Sequence, residues 1–183
     1  LARFGYEPMA QAKGHGVGEV LFSADQIQRR VSSLAKQVSE DYEGKVPLLV
    51  GVLRGVICFM ADLIRNMSIP LNVDVMSLSS YASDRGEVVK ITKDLAMDVV
   101  GRHVIMVEDI IDTGITLNYL LNHLWLKKPA SLAVCTLLDK KARRLLDTPL
   151  DYVGFEVPDQ FVIGYGLDYK EEYRNLPFIG VLE

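Results

Sequence analysis

Two cysteines, three histidines and one tryptophan are all that 183 residues contain of those types. Cys58 and Cys135 lie in the apolar runs VICFM and LAVCTLL. They read as buried, reduced thiols rather than as a disulfide, which implies a reducing, cytoplasmic setting. His15, His103 and His123 have no partner at metal-ligand spacing, so packing or solvent roles are expected of them. No apolar run approaches the roughly 18 residues that span a bilayer, so the chain reads as soluble, with no membrane partner. Positive charge is not in excess either. A net charge of −4 and a pI near 5.4 give no general attraction to nucleic acid or anionic surfaces. Any phosphate must therefore be held by local basic residues and backbone amides. Two common phosphate-binding signatures are also missing: there is no Gly-x-x-x-x-Gly-Lys loop, and no Gly-x-Gly-x-x-Gly follows the first strand-like run.

What is present builds a core. With 49% hydrophobic residues and no linker, repeat or low-complexity segment, residues 1–183 are expected to form a single domain. Residues 1–19, polar and aperiodic, read as an extended N-terminal arm. Ser23 should cap a helix, with Gln26 completing a capping box and Phe22 stapled against Ile27. Ile27, Val31, Leu34 and Val38 then make its buried stripe. LLVGVL reads as a strand and Val56 to Asn66 as a second helix, followed by strands in LNVDVMSLSS, VVKIT and HVIMV. A helix around Leu117 to Leu126 comes next, then strands in SLAVCTLL, DYVGFEV and FVIGY. Strands that are apolar throughout and alternate with helices imply an α/β fold. Its mostly parallel central sheet of about five strands should be flanked by helices, with a small hood made from the chain ends. In such sheets ligands bind beyond the carboxyl ends of the strands.

VEDIIDTGIT, Val107 to Thr116, lies at such an end. A lone Asp before a helix is most often a cap, and acids after a strand are often a solvated loop. Here three acids, a glycine and two threonines combine, and capping accounts for only one of them. A helix N-terminus with free amides from about Thr113 to Thr116 suits one phosphate monoester. Glu108 and Asp109 can accept from vicinal hydroxyls or from water on a hard divalent cation. A ligand with phosphate at one end and a diol at the other is a sugar phosphate.

The stretch VEDIIDTGITL resembles the phosphoribosyl-pyrophosphate (PRPP) motif of type I phosphoribosyltransferases. Its Glu-Asp-x-x-Asp-Thr-Gly form resembles the hypoxanthine-guanine phosphoribosyltransferases in particular. The likeness runs from about Val20 to the end, through LRG, SSY, LLDK and PDQFVIGYGLDYKEEYRNLP in that order. It implies the type I phosphoribosyltransferase fold, with a hood and a mobile lid loop. It also implies an enzyme of purine salvage, a pentosyltransferase that moves the 5-phosphoribosyl group of PRPP to N9 of hypoxanthine or guanine. The products would be IMP or GMP and pyrophosphate, and the oligomer a homodimer or homotetramer.

By the same resemblance each motif acquires a role. Glu108, Asp109, Ile110, Ile111, Asp112, Thr113, Gly114, Ile115 and Thr116 would bind PRPP, with Thr113 to Thr116 cradling its 5′-phosphate and Asp112 acting as catalytic proton acceptor near N7 of the base. Arg54, Gly55 and Arg174 would hold pyrophosphate. Many members carry Lys where this chain has Arg54, so the Gly55 amide is the firmer assignment. Lys140 would donate to the purine O6, with Lys141 the neighbour to be kept apart from it. Phe161 would stack on the base and the Val162 main chain would meet its edge, with Asp168 beside them. Glu108, Asp109 and Asp168 would hold Mg²⁺, for which Mn²⁺ can substitute. Ser80 and Tyr81 begin the lid, whose YASDRGEVV is shorter than the family's usual loop. Residue by residue, the alternatives are ordinary: Arg-Gly as a solvated turn, Lys140 and Arg174 as surface charge, Phe161 as core, Asp168 as a turn residue. A regulatory PRPP-binding protein on the same fold and an aspartate phospho-acceptor module compete as whole readings, but neither uses the full motif set.

Overall fold

The computed structural model describes residues 16–83 and 86–183, except for the side chains of residues 80–88. Strand β1 (Val17–Phe22) leads into helix α1 (Ala24–Asp41), and the Ser23–Gln26 capping box is formed in both directions. Then follow β2 (Leu48–Leu53), α2 (Ile57–Asn66), β3 (Asn72–Ser83), β4 (Gly86–Lys93), β5 (His103–Ile111), α3 (Ile115–Trp125) and β6 (Ser131–Asp139). A 3₁₀ turn (Lys141–Arg143), β7 (Tyr152–Glu156), β8 (Val162–Ile163) and β9 (Ile179–Leu182) complete the chain.

The main sheet has six strands in the order β4-β3-β2-β5-β6-β7. Five are mutually parallel, and β4 adds an antiparallel edge. VVKIT is therefore half of a long hairpin with β3 rather than a short independent strand. Alternate residues of each central strand serve opposite layers. Leu49, Ile105, Val107, Cys135 and Leu137 pack under α1 and α2, while Leu48, Val50, Val104, Met106 and Val134 pack under α3. Burial on both faces explains why these strands read as unbroken apolar runs.

FVIGY departs from the expected strand series. Only Val162 and Ile163 are strand, and they pair with β9 in a separate sheet of order β1-β9-β8. Gly164 and Gly166, at φ of 99° and 101°, turn the chain away at once. This small sheet is the hood, and it uses both chain ends as anticipated. Residues 17–19 of the expected arm belong to β1 instead, because Val17 pairs with Leu182 and Gly16 exchanges backbone hydrogen bonds with Glu183. Residues 1–15 of the expected arm lie outside the described ones. Ser80 and Tyr81 have backbone positions within β3, opposite Val89 and Val88, but their side chains fall outside the described set.

Chain direction across the sheet reverses between β2 and β5. From β2 the chain moves outward to β3 and β4, and from β5 it moves outward to β6 and β7. The loops leaving β2 and β5 therefore part at their carboxyl ends and leave a crevice between them.

Candidate active site

Both motif loops open into that crevice. Arg54 and Gly55 follow β2, Asp112 to Gly114 follow β5, and Lys140 follows β6. The hood supplies the opposite wall. A cavity of about 380 Å³ is lined by Arg54, Gly55, Asp109, Ile110, Asp112, Lys140, Phe161, Val162, Leu167, Asp168 and Arg174. A second, of about 210 Å³, is lined by Val52, Glu108, Thr113, Gly114, Thr116 and Leu117, and shares Ile110 and Asp112 with the first. Ile111 also lines the smaller cavity, whereas Ile115 is half exposed on the outer side of α3.

The smaller cavity has the chemistry of a phosphate cradle. Gly114, at φ of 82°, is the N-cap of α3, and no side chain caps that helix. The first-turn amides are left to an incoming acceptor and carry the positive end of the helix dipole. Asp112 is therefore not a helix cap. Thr113 Oγ1 makes only a long contact, 3.4 Å, with the amide of Ile115.

Glu108 and Asp109 are adjacent on β5 and point to different cavities. Glu108 is buried, with no hydrogen-bond or ion-pair partner identified for its carboxyl among the described residues. Burial first, and the charge of Asp109 second, push its pKa well above the usual carboxylate range. Burial also raises Asp109 to about 6, with Asp168 adding to the shift. The amide of Ile110, which donates to Oδ1 at 2.8 Å, and the charge of Arg174 act against it. Two raised carboxyls at one strand end form a site that gains from positive charge or hydroxyl donors.

Gly55 explains how Asp109 fits. A Cβ at that position would lie 1.7 Å from Asp109 Oδ2, and a Cβ on Gly166 would lie 2.2 Å from the Gly55 carbonyl oxygen. Acid, loop and hood stack without room for a side chain. The Leu53–Arg54 peptide is cis.

The hood brings the remaining residues. Arg174 donates from Nη1 to the Gly166 carbonyl at 2.7 Å and pairs through Nη2 with Asp168 at 2.8 Å. Phe161 is half exposed on the cavity wall and meets Tyr169 edge-on, with centroids 5.7 Å apart. Val162 is buried behind it. Lys140 is only 7% exposed, rare for a lysine, and no carboxylate lies within ion-pair distance of it among the described residues. Lys141 is exposed. Lys140 lines the larger cavity, and Lys141 is not among its lining residues.

Three charged residues at the site escaped the sequence reading. Glu171 pairs with Arg54 at 2.9 Å and lies 3.4 Å from Arg174, so it links the two cations assigned to pyrophosphate. Arg143 lies 3.2 Å from Asp112 and 3.6 Å from Asp159. All three look like surface charge in sequence. A signal in the fold is the backbone of Tyr165, Lys170, Glu171 and Tyr173, non-glycine residues held at positive φ between 50° and 74°. Such backbone tends to gather at functional loops. As metal ligands, Glu108, Asp109 and Asp168 do not close a cage: no group of three such side chains among the described residues converges on one point. Their hard oxygens, split between two walls, fit a cation that keeps water and takes other ligands from a bound phosphate.

A crevice at the reversal point of a parallel sheet, with a free helix N-terminus, two raised acids and a hood, suits a phosphorylated ligand. Residues 21–170 match the phosphoribosyl transferase domain family. The chain is 48% identical over 172 residues to the hypoxanthine-guanine phosphoribosyltransferase of Bacillus subtilis, covering 92% of this chain and 95% of that one. It is 46% identical to the hypoxanthine-guanine-xanthine phosphoribosyltransferase of Tritrichomonas foetus, over 90% of this chain and 91% of the relative. Its fold superposes on a crystal structure of a Bacillus anthracis hypoxanthine-guanine phosphoribosyltransferase with a TM-score of 0.87 and 44% identity, covering 93% of this chain and all of the other. The chain belongs to the hypoxanthine-guanine phosphoribosyltransferase family.

Proposed function

We propose that this protein transfers the 5-phosphoribosyl group of PRPP to N9 of hypoxanthine or guanine, releasing pyrophosphate and forming IMP or GMP. The observation that carries the reading is the shared wall of the two cavities, where Asp112 faces both. A ribose 5-phosphate with its phosphate at the α3 N-terminus would present C1 at that junction, beside a purine held by Phe161, Val162 and Lys140.

In the reaction the C1–oxygen bond to pyrophosphate breaks and its electron pair leaves with the pyrophosphate. The N9–C1 bond forms, and the proton lost from the purine passes to the Asp112 carboxylate. Positive charge grows on the sugar next to Glu108 and Asp109, and negative charge grows next to the Gly55 amide, Arg54 and Arg174. In taking these arginines, pyrophosphate would compete with Glu171 and Asp168. The donor-only ammonium of Lys140 favours the O6 acceptor of a 6-oxopurine over the amino group of adenine. Glu108, Asp109 and Asp168 would hold Mg²⁺ or Mn²⁺ together with substrate oxygens, the ion neutralising the leaving pyrophosphate.

Two finer points belong to the same proposal. Ile115, Tyr119, Trp125 and Leu126 expose apolar surface along α3, which supports self-association as a homodimer or homotetramer. The free thiols of Cys58 and Cys135 support a cytoplasmic location. No helix among the described residues is long and apolar enough to cross a membrane.

The test is pyrophosphate release from PRPP with hypoxanthine, guanine, xanthine and adenine, with and without a chelator. Metal-dependent release with 6-oxopurines and little with adenine is expected. Release preferred with adenine, or undiminished after exhaustive chelation, would overturn the reading.

A further inference from the structure

Asp112 does not face the crevice alone. Its Oδ1 is shut off from solvent and has no aligned hydrogen bond, although its side chain as a whole is 41% exposed. The accessible oxygen is therefore Oδ2. The Nε of Arg143 lies 3.2 Å from Oδ1, within ion-pair range. The other end of the same guanidinium reaches Asp159, with Nη1 3.6 Å from Oδ1. Asp159 stands two residues before Phe161, in the loop that carries the purine platform. Arg143 thus bridges the loop after β5 and the loop before β8.

The segment carrying Arg143 is fixed to the phosphate loop at both ends. The Lys140 amide donates to the Ile111 carbonyl at 2.9 Å, and the Leu145 amide donates to the Thr113 carbonyl at 3.0 Å. Between these anchors the backbone has little freedom, and the Arg143 side chain spans the remaining gap. Arg144 makes a different connection, to Asp139 at 2.7 Å and away from Asp112.

We propose that Arg143 is a positioning residue for the proton acceptor: it holds Asp112 by Oδ1 so that Oδ2 faces the purine, and Asp159 holds Arg143. The proposal rests on the transferase reading above. A carboxylate free to rotate presents either oxygen at varied angles, whereas one pinned by a cation presents one oxygen in one direction. An arginine suits the task, since its planar fork reaches two carboxylates at once. The bridge also ties the direction of Asp112 to the placement of the loop bearing Phe161.

The experiment is steady-state kinetics of Arg143→Gln and Arg143→Lys, each in the wild-type and in the Asp112→Asn background, with thermal melting of every variant. Both side chains are close to half exposed and water screens the pair, so Arg143→Gln should lower kcat by about 3- to 10-fold. The KM for PRPP should stay within about twofold, and Arg143→Lys should recover part of the loss. In the Asp112→Asn background the same substitution should change kcat by less than about twofold, because the group it positions no longer accepts a proton. An equal loss in both backgrounds would overturn the proposal, as would wild-type kcat in Arg143→Gln. If the wild-type protein releases no pyrophosphate with any purine, the transferase reading itself has failed. Activity in the wild type that falls with Asp112→Asn but not with Arg143→Gln removes only this inference.

Discussion

Asp109→Asn should make the protein more stable while disabling it. Burial raises the Asp109 carboxyl from 3.8 to about 6, against the pull of Arg174 and the Ile110 amide. A folded-state pKa above the unfolded one means that the native protein binds the proton more tightly. The penalty for holding Asp109 is absent below the unfolded value near 3.8, grows between there and about 6, and is complete above. A shift of roughly two units at about 1.4 kcal/mol per unit makes that penalty about 3 kcal/mol at pH 8. Asparagine keeps the shape and the acceptor for the Ile110 amide, and it carries no charge to desolvate.

Thermal melting without added ligand should therefore show Asp109→Asn above wild type by roughly 6–12 °C at pH 8, since 1 kcal/mol moves a chain of this size by about 2–4 °C. Near pH 4 the two curves should nearly coincide. Comparing variant with wild type isolates this group from carboxylates that titrate the other way. Asp94 is one of these: burial opposes its ionisation, but hydrogen bonds from Lys127, the Leu95 amide and His123 together hold it down to about 2. In turnover the same variant should lose PRPP affinity and metal response. A melting temperature at or below wild type at pH 8, or an equal gain at pH 4, would refute the reasoning.

Asp112→Asn should lower kcat by roughly 10²–10⁴-fold with the KM for PRPP little changed, as read by steady-state kinetics; near-normal kcat across pH would leave Asp112 without a role as acceptor. Lys140→Ala should raise the KM for hypoxanthine and guanine by roughly 10- to 100-fold through loss of one charged hydrogen bond, and a collapse of PRPP affinity instead would put Lys140 in the wrong pocket. Gly55→Ala places a Cβ 1.7 Å from Asp109 Oδ2; melting should show a loss of about 1–3 kcal/mol and kinetics a raised KM for PRPP. An unchanged protein would mean that the Asp109 side chain swings aside freely.

The sequence was most legible where physics is local. The Ser23–Gln26 box needs only four residues, and both of its hydrogen bonds are present. The buried strands were visible because burial on two faces removes the alternation expected of a half-exposed strand. Val162 and Ile163 carry the same apolar signal, yet they belong to the hood, since nothing in five residues says which sheet a short strand will join. The acidic loop could be read from composition, because capping could account for at most one of its three acids, and in the structure Gly114 is the N-cap and no acid caps α3. Glu171, Arg143 and Asp159 were illegible for the opposite reason. A single charge in YKEEYR or KKARR is indistinguishable from a solvated face until distant loops are brought within 4 Å.

Those late-found charges alter how the site is understood. Arg54 and Arg174 meet Glu171, Arg174 also meets Asp168, and Arg143 meets Asp112 and Asp159. Lys140 meets no acid among the described residues, and Glu108 and Asp109 remain raised. The arginines are thus partly neutralised within the protein, whereas the two carboxyls at the end of β5 and Lys140 form no ion pair among the described residues. A metal-bound pyrophosphate would have to exchange an internal carboxylate for its own oxygens at Arg54 and Arg174, which keeps net binding moderate and suits a group that must also leave. In the proposed reaction, a sugar developing positive charge would face two carboxyls that have no such ion-pair partner to give up. Their interaction would then strengthen as the C1–oxygen bond breaks, and interactions that strengthen in that way act on the rate rather than on substrate affinity alone.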